Sequence, residues 1–109
     1  MKRIFFGQIG KLRKEKVAEY KKLHAYPWPE VLKTIHECNL VNYSIFCHGD
    51  VVFAYFEYVG GDYDADMKKM ERDAATQEWW KHTRPCFEPY AFSERSEFYH
   101  DMEQIFYYA

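Results

Sequence analysis

Hydrophobic and polar positions change period several times along the chain, and each change marks an element. The opening run Lys2-Arg3-Ile4-Phe5-Phe6-Gly7-Gln8-Ile9-Gly10 carries bulky apolar residues up to a glycine boundary, which predicts a strand over residues 2–10. From Arg13 to His24 the positions Val17, Tyr20, Leu23 and His24 recur at steps of three and four amid Lys and Glu, the period of an amphipathic helix. Pro27 and Pro29 interrupt it, because a proline disfavours helical geometry in the residue before it. Pro29 itself suits the first turn of a second helix that runs to about Glu37. Two β-rich stretches, Leu40–Cys47 and Val51–Val59, flank His48-Gly49-Asp50 and predict a hairpin.

The second strand of that hairpin is apolar at both alternating sets of positions, so both of its faces need cover. After an acidic turn at Gly60–Asp66, Met67 and Met70 predict a short helix. A further helix from Ala74 to about Arg84 carries Trp79 and Trp80 and is stopped by Pro85 and Pro89. Residues 86–101 show no period and read as irregular, and Met102–Tyr108 closes the chain as a β-rich run. The order β, α, α, β, β, α, α, β is the split β-α-β arrangement of an α+β, ferredoxin-like domain, a single unit over residues 1–109. Its antiparallel sheet has helices on one face. The other apolar face predicts a homodimer packed sheet to sheet.

Composition narrows the classes of function. At 109 residues the folded chain exposes about 6,400 Å² against about 19,000 Å² unfolded, enough burial for a core without disulfides or metals. Lys and Arg number 15 against 17 Asp and Glu, with no basic run, which argues against a nucleic-acid partner. No apolar run approaches the ~20 residues needed to cross a bilayer, so no membrane span is expected. The apolar part of the N-terminal run is too short for an export signal. Cys38, Cys47 and Cys86 lie far apart with no C-x-x-C pair, the pattern of reduced, cytoplasmic thiols. His24, His36, His48, His82 and His100 show no metal-binding spacing, so no metal is expected, and Gly60-Gly61 stands before acidic residues and reads as a turn.

What stands out is aromatic content, with 9 Phe, 10 Tyr and 3 Trp. Tyr20 and His24 lie four apart, stacked on one helix face, either as a packed core pair or within reach of one ligand. His24 falls in the last turn before Pro27, where the negative end of the helix dipole is expected to raise its pKa and fit it as a general acid. Adjacent helical residues point about 100° apart, so one of Trp79 and Trp80 can enter the core while the other faces a cleft. An indole has an apolar face and an N–H edge, which suits a sugar ring. Trp28, between two prolines, either staples the helix that follows or joins the site. Asn42 and Tyr43 point to opposite faces of their strand, so only one of them can line the helix-covered side; Tyr43 is expected to share its face with Val41 and Ile45.

With these residues in place the chain resembles the L-rhamnose mutarotase family. The resemblance runs nearly end to end. It rests on Glu19-Tyr20-x-x-x-His24, Trp28-Pro29-Glu30, Asn42-Tyr43-Ser44-Ile45, Phe53-Ala54-Tyr55-Phe56-Glu57, Gln77-Glu78-Trp79-Trp80 and Met102-Glu103-Gln104-Ile105-Phe106-Tyr107. It implies a dimeric α/β-barrel-type domain that needs no cofactor and interconverts the anomers of L-rhamnose or a similar 6-deoxy sugar such as L-fucose. It further implies His24 as proton donor, with sugar contacts from Tyr20, Tyr43, Trp79 and Trp80, to which Trp28 and Asn42 are added as neighbours. Where family members carry an Asn-Pro-Asp-rich loop before the last strand, this chain has Glu88-Pro89-Tyr90-Ala91-Phe92-Ser93. The fold alone also admits a monooxygenase or heme-handling protein, and the tryptophans alone admit a non-catalytic sugar-binding module.

Overall fold

The structure is a computed structural model and describes residues 3–109. Lys2, the first residue of the predicted opening strand, lies outside the described residues. Four strands form one antiparallel sheet in the order β2-β3-β1-β4: β1 is Ile4–Lys11, β2 Leu40–His48, β3 Val51–Tyr58 and β4 Tyr99–Met102. Two helices, α1 (Val17–Ala25) and α2 (Pro29–Glu37), lie between β1 and β2, and two more, α3 (Tyr63–Arg72) and α4 (Ala74–Thr83), lie between β3 and β4. The chain is therefore α+β with ferredoxin-like strand order, each crossover helix being doubled.

The local chemistry explains the ends of these elements. The first helix of the sequence reading splits, a 3₁₀ turn at Lys14–Lys16 leading into α1. Pro29 occupies the first turn of α2, where its missing N–H costs nothing. The acidic stretch after β3 is shorter than the sequence suggests. Asp62 caps α3 by accepting the Ala65 N–H, and Asp64 and Asp66 then sit in the first turn, where the helix dipole favours negative charge. Asp73 caps α4 in the same way through Thr76. The β2–β3 hairpin closes over Gly49-Asp50, with Gly49 left-handed at φ 60°.

The last strand departs from expectation. The apolar run Met102–Tyr108 is not the strand; β4 is Tyr99–Met102, inside the stretch that shows no period, and it pairs with Gly7–Gly10 of β1. Residues 103–109 form no element and leave Ile105, Phe106 and Tyr108 at least 80% exposed. Apolarity marks the part of the tail that has no cover within the chain, whereas β4 is fixed by its partner strand. Gly10 permits that pairing, since a Cβ there would lie 2.7 Å from Phe87 and 2.9 Å from the Phe98 carbonyl.

On the helix side of the sheet the buried residues form two clusters. One gathers Leu12, Tyr20, Val52, Cys86 and Phe87; the other gathers Leu40, Phe56 and Tyr58, with Phe6, Tyr63, Met67 and Met70 against them. None of the helices among the described residues is long and apolar enough to cross a membrane. Leu12 is fully buried and pairs with Phe87 across an isolated β-bridge, tying the end of β1 to the segment after α4. Leu12→Ala is expected to lower unfolding free energy by roughly 2–5 kcal/mol, read as a fall in the urea midpoint.

Candidate active site

Between the two core clusters the helix-covered face holds a cavity of about 330 Å³. One wall comes from the first cluster through Tyr20, Phe87 and Tyr99, and the opposite wall from the second through Phe56, Tyr63 and Met67. Tyr20, His24, Tyr43, Trp79 and Trp80 all line it. The structure brings five of the seven candidate residues together; it does not bring Trp28 and Asn42.

His24 is the group in this wall best suited to proton transfer. Its ring is half-buried, tilted on Tyr20 at 4.3 Å and edge-on to Trp79 at 5.3 Å. Nδ1 lies 2.9 Å from the Tyr20 backbone carbonyl oxygen. A carbonyl only accepts, so Nδ1 carries the hydrogen and the neutral ring keeps its lone pair on Nε2. The expectation of a raised pKa is overturned. Burial between the two rings lowers it, and the bond to the Tyr20 carbonyl offsets this only in part.

The tyrosines are held as neutral hydroxyls. Tyr20 Oη lies 2.7 Å from Tyr99 Oη, and burial raises both phenols far above their ordinary value. One hydroxyl donates to the other, and the recipient's own hydrogen remains free for a ligand. Tyr43 stacks on Phe56 at 5.0 Å, and desolvation lifts its phenol to about 12 although the residue as a whole is 39% exposed. Trp79 is buried and Trp80 half-buried, as the 100° turn between neighbours on α4 implies.

A β-bulge separates Tyr43 from Asn42. Register shifts between Val41 and Ser44, with Asn42 left-handed at φ 51°, a conformation asparagine tolerates. Tyr43 and Ile45 consequently face the cavity, while Val41 pairs with Glu57 on the other face, contrary to the expected common face of Val41 and Tyr43. Asn42 lines an outer groove with Arg3, Tyr55, Glu57 and Tyr107, and so does not reach the cavity. Trp28 packs edge-on against Trp79 at 5.2 Å and against His82 at 5.5 Å, behind the wall rather than in it.

Several lining residues escape the sequence reading. Tyr99 and Phe98 lie in the stretch without a period, since a four-residue strand is too short to show one. Gln8 was visible as a polar residue on the inward set of β1, and Arg84 as a cation four residues after Trp80. Among the described residues no three His, Cys, Asp or Glu side chains gather as a metal site. Burial and the neighbouring Glu19 push the Cys86 thiol up to about 11, so it stays a neutral thiol.

The chain is similar to several known proteins. A family model described as L-rhamnose mutarotase matches residues 6–108. An L-rhamnose mutarotase of Shouchella clausii is 30% identical over 103 residues, covering 93% of this chain and 94% of the relative. One of Opitutus terrae is 31% identical over 90 residues, covering 77% and 86%. Among solved structures, an L-rhamnose mutarotase of Formosa agariphila superposes with a TM-score of 0.74 at 23% identity, over 97% of this chain and 99% of that one. A NIPSNAP family protein of Agrobacterium tumefaciens gives 0.59 at 22% identity, over 85% and 98%, and these two likenesses speak to fold.

The Tyr20–Tyr99 bond ties α1 to β4 within one wall of the cavity. Tyr99→Phe is expected to lower stability by about 0.5–1.5 kcal/mol, as a lower urea midpoint at unchanged slope.

Proposed function

The chain belongs to the L-rhamnose mutarotase family, and from that premise we propose that it is an isomerase interconverting the α and β anomers of L-rhamnose or a similar 6-deoxy sugar in the cavity between the two core clusters. The observation that carries the assignment is the His24 ring, tied through Nδ1 to a backbone carbonyl, with a free Nε2 in a cavity walled by two indoles. A pyranose offers an apolar face to the indoles and hydroxyls to the tyrosines.

The chemistry follows from the resting state of His24. Nε2 accepts the proton of the anomeric hydroxyl; the electrons left on O1 form the carbonyl, the C1–O5 bond breaks, and O5 takes a proton from water on the open side of the cavity. Rotation about C1–C2 turns the other carbonyl face toward O5. On closure O5 attacks C1 and releases its proton to water, and the imidazolium returns its proton to O1. His24 is thus a base on opening and the proton donor on closure. Tyr20 and Tyr43 position the ring by hydrogen bonds, and Trp79 and Trp80 supply the apolar wall.

The sheet's outer face supports a homodimer. Phe46 and Phe53 are exposed there, and Tyr107 of the tail rests on Phe5 at 4.7 Å. The chain exposes 7693 Å², against about 6,400 Å² for a compact monomer of 13.3 kDa. Pairing two such faces removes the excess. The three unpaired thiols suit the cytoplasm, a reducing compartment.

Saturation-transfer NMR on L-rhamnose, L-fucose and L-mannose tests the activity: the protein is expected to speed anomer exchange, and His24→Ala to lose roughly 10²–10⁴-fold of it while remaining folded. Because burial lowers the His24 pKa, kcat/KM is expected to stay level through neutral pH and to fall on an acid limb below the ordinary histidine value. A rate that instead falls as pH rises through neutrality would mean a resting imidazolium. Sedimentation equilibrium at micromolar protein is expected to give twice the 13.3 kDa chain mass, and the chain mass itself would refute the dimer.

A further inference from the structure

We propose that Arg84 is a specificity-determining residue, its guanidinium donating two parallel hydrogen bonds to the neighbouring hydroxyls that lie across the pyranose ring from the anomeric carbon. The proposal rests on the assignment of a monosaccharide to the cavity.

Arg84 lines the same cavity as His24. Its guanidinium carbon lies 4.0 Å from the Trp80 ring centroid and 4.9 Å from that of Phe98. Such stacking engages the flat faces of the group and leaves its in-plane N–H donors unused. Among the described residues no carboxylate stands within ion-pair distance of it and no hydrogen bond fixes it. Glu97 and Glu71 act on its charge only through space, and burial outweighs them. Lys81, three residues earlier, is by contrast paired with Glu78 at 3.6 Å. Arg84 is exposed as a residue and also borders an outer groove with Lys81 and Glu97, but its guanidinium, held against two rings at the cavity with idle donors, is arranged to receive a ligand.

Its placement selects which oxygens it meets. His24 is held by Trp79 and Arg84 by Trp80, and these neighbours project about 100° apart from α4, so the two groups approach a ligand from different sides. When His24 reaches O1, the atoms across the ring are C3 and C4, and their vicinal hydroxyls match the fork of parallel guanidinium donors. The 3₁₀ turn Arg84–Cys86 that follows α4, with Pro85 as its second residue, keeps the backbone of Arg84 rigid.

Tryptophan fluorescence titration of the full chain tests this without relying on turnover. Wild-type protein is expected to bind L-rhamnose at least tenfold more tightly than analogues lacking the 3- or the 4-hydroxyl. R84M is expected to raise the L-rhamnose Kd roughly 10- to 100-fold and to weaken each deoxy analogue by a clearly smaller factor, since only one hydrogen bond remains there to lose. In anomer exchange the same loss appears in KM rather than in kcat. Should R84M not fold, R84K, which keeps the cation but not the fork, is expected to lose the same discrimination. An unchanged Kd, or equal weakening of L-rhamnose and its deoxy analogues, overturns the proposal and leaves Arg84 a packing residue. Wild-type protein that binds L-rhamnose without speeding anomer exchange removes the mutarotase reading alone, and the Kd ratio still decides for Arg84. Absence of any L-rhamnose binding overturns both.

Discussion

The structure follows from one constraint: a four-stranded sheet whose central strand β3 is apolar on both faces, in a chain with helices enough to cover one. Val52, Ala54, Phe56 and Tyr58 of β3 are buried under helices, while Phe53 on the opposite face keeps more than a third of its surface exposed. The helical side therefore holds both the core and the cavity, and the outer side has no helical cover. Glu57, buried on that outer side, is neutralised locally, since Arg3 and Tyr55 both donate to its carboxylate.

Doubling each crossover helix shapes the site. The first cluster packs around α1 and the turn that follows α4; the second packs under α3. Neither extends far enough to close on the other, and the cavity is the seam between them. Its chemistry depends on that position. At the surface, the C-terminal turn of α1 would favour a charged His24; in the seam, Tyr20 and Trp79 exclude enough water that the neutral ring is favoured. The same burial keeps the Tyr20 and Tyr99 phenols neutral and able to donate.

Periodicity in the sequence located most elements because each amphipathic face is decided locally. Pro29 set the start of α2, and the hairpin turn and the pairing of β2 with β3 followed from alternation around Gly49. It also placed His24 and Tyr20 together, since i and i+4 share a helix face. Two things resisted. The bulge at Asn42 changes which strand residues share a face, and strict alternation cannot express an extra residue. β4 is four residues long and exists because β1 offers an edge, a tertiary cause that leaves no local period. Both failures fall beside the cavity, where Tyr43 and Tyr99 depend on them.

The tail joins the two faces of the sheet. β4 brings Tyr99 to Tyr20 on the helix side, and the chain then crosses the sheet edge so that Tyr107 rests on Phe5 on the other. Between them Ile105 and Phe106 have no cover within the chain. Exposed apolar side chains on a segment with no ladder of its own are costly in water. A second copy meeting the outer face would cover them and immobilise the segment immediately after β4. Cover of the outer face and order in the wall that presents Tyr99 would thereby be coupled through one short strand, although the two lie on opposite faces of the sheet.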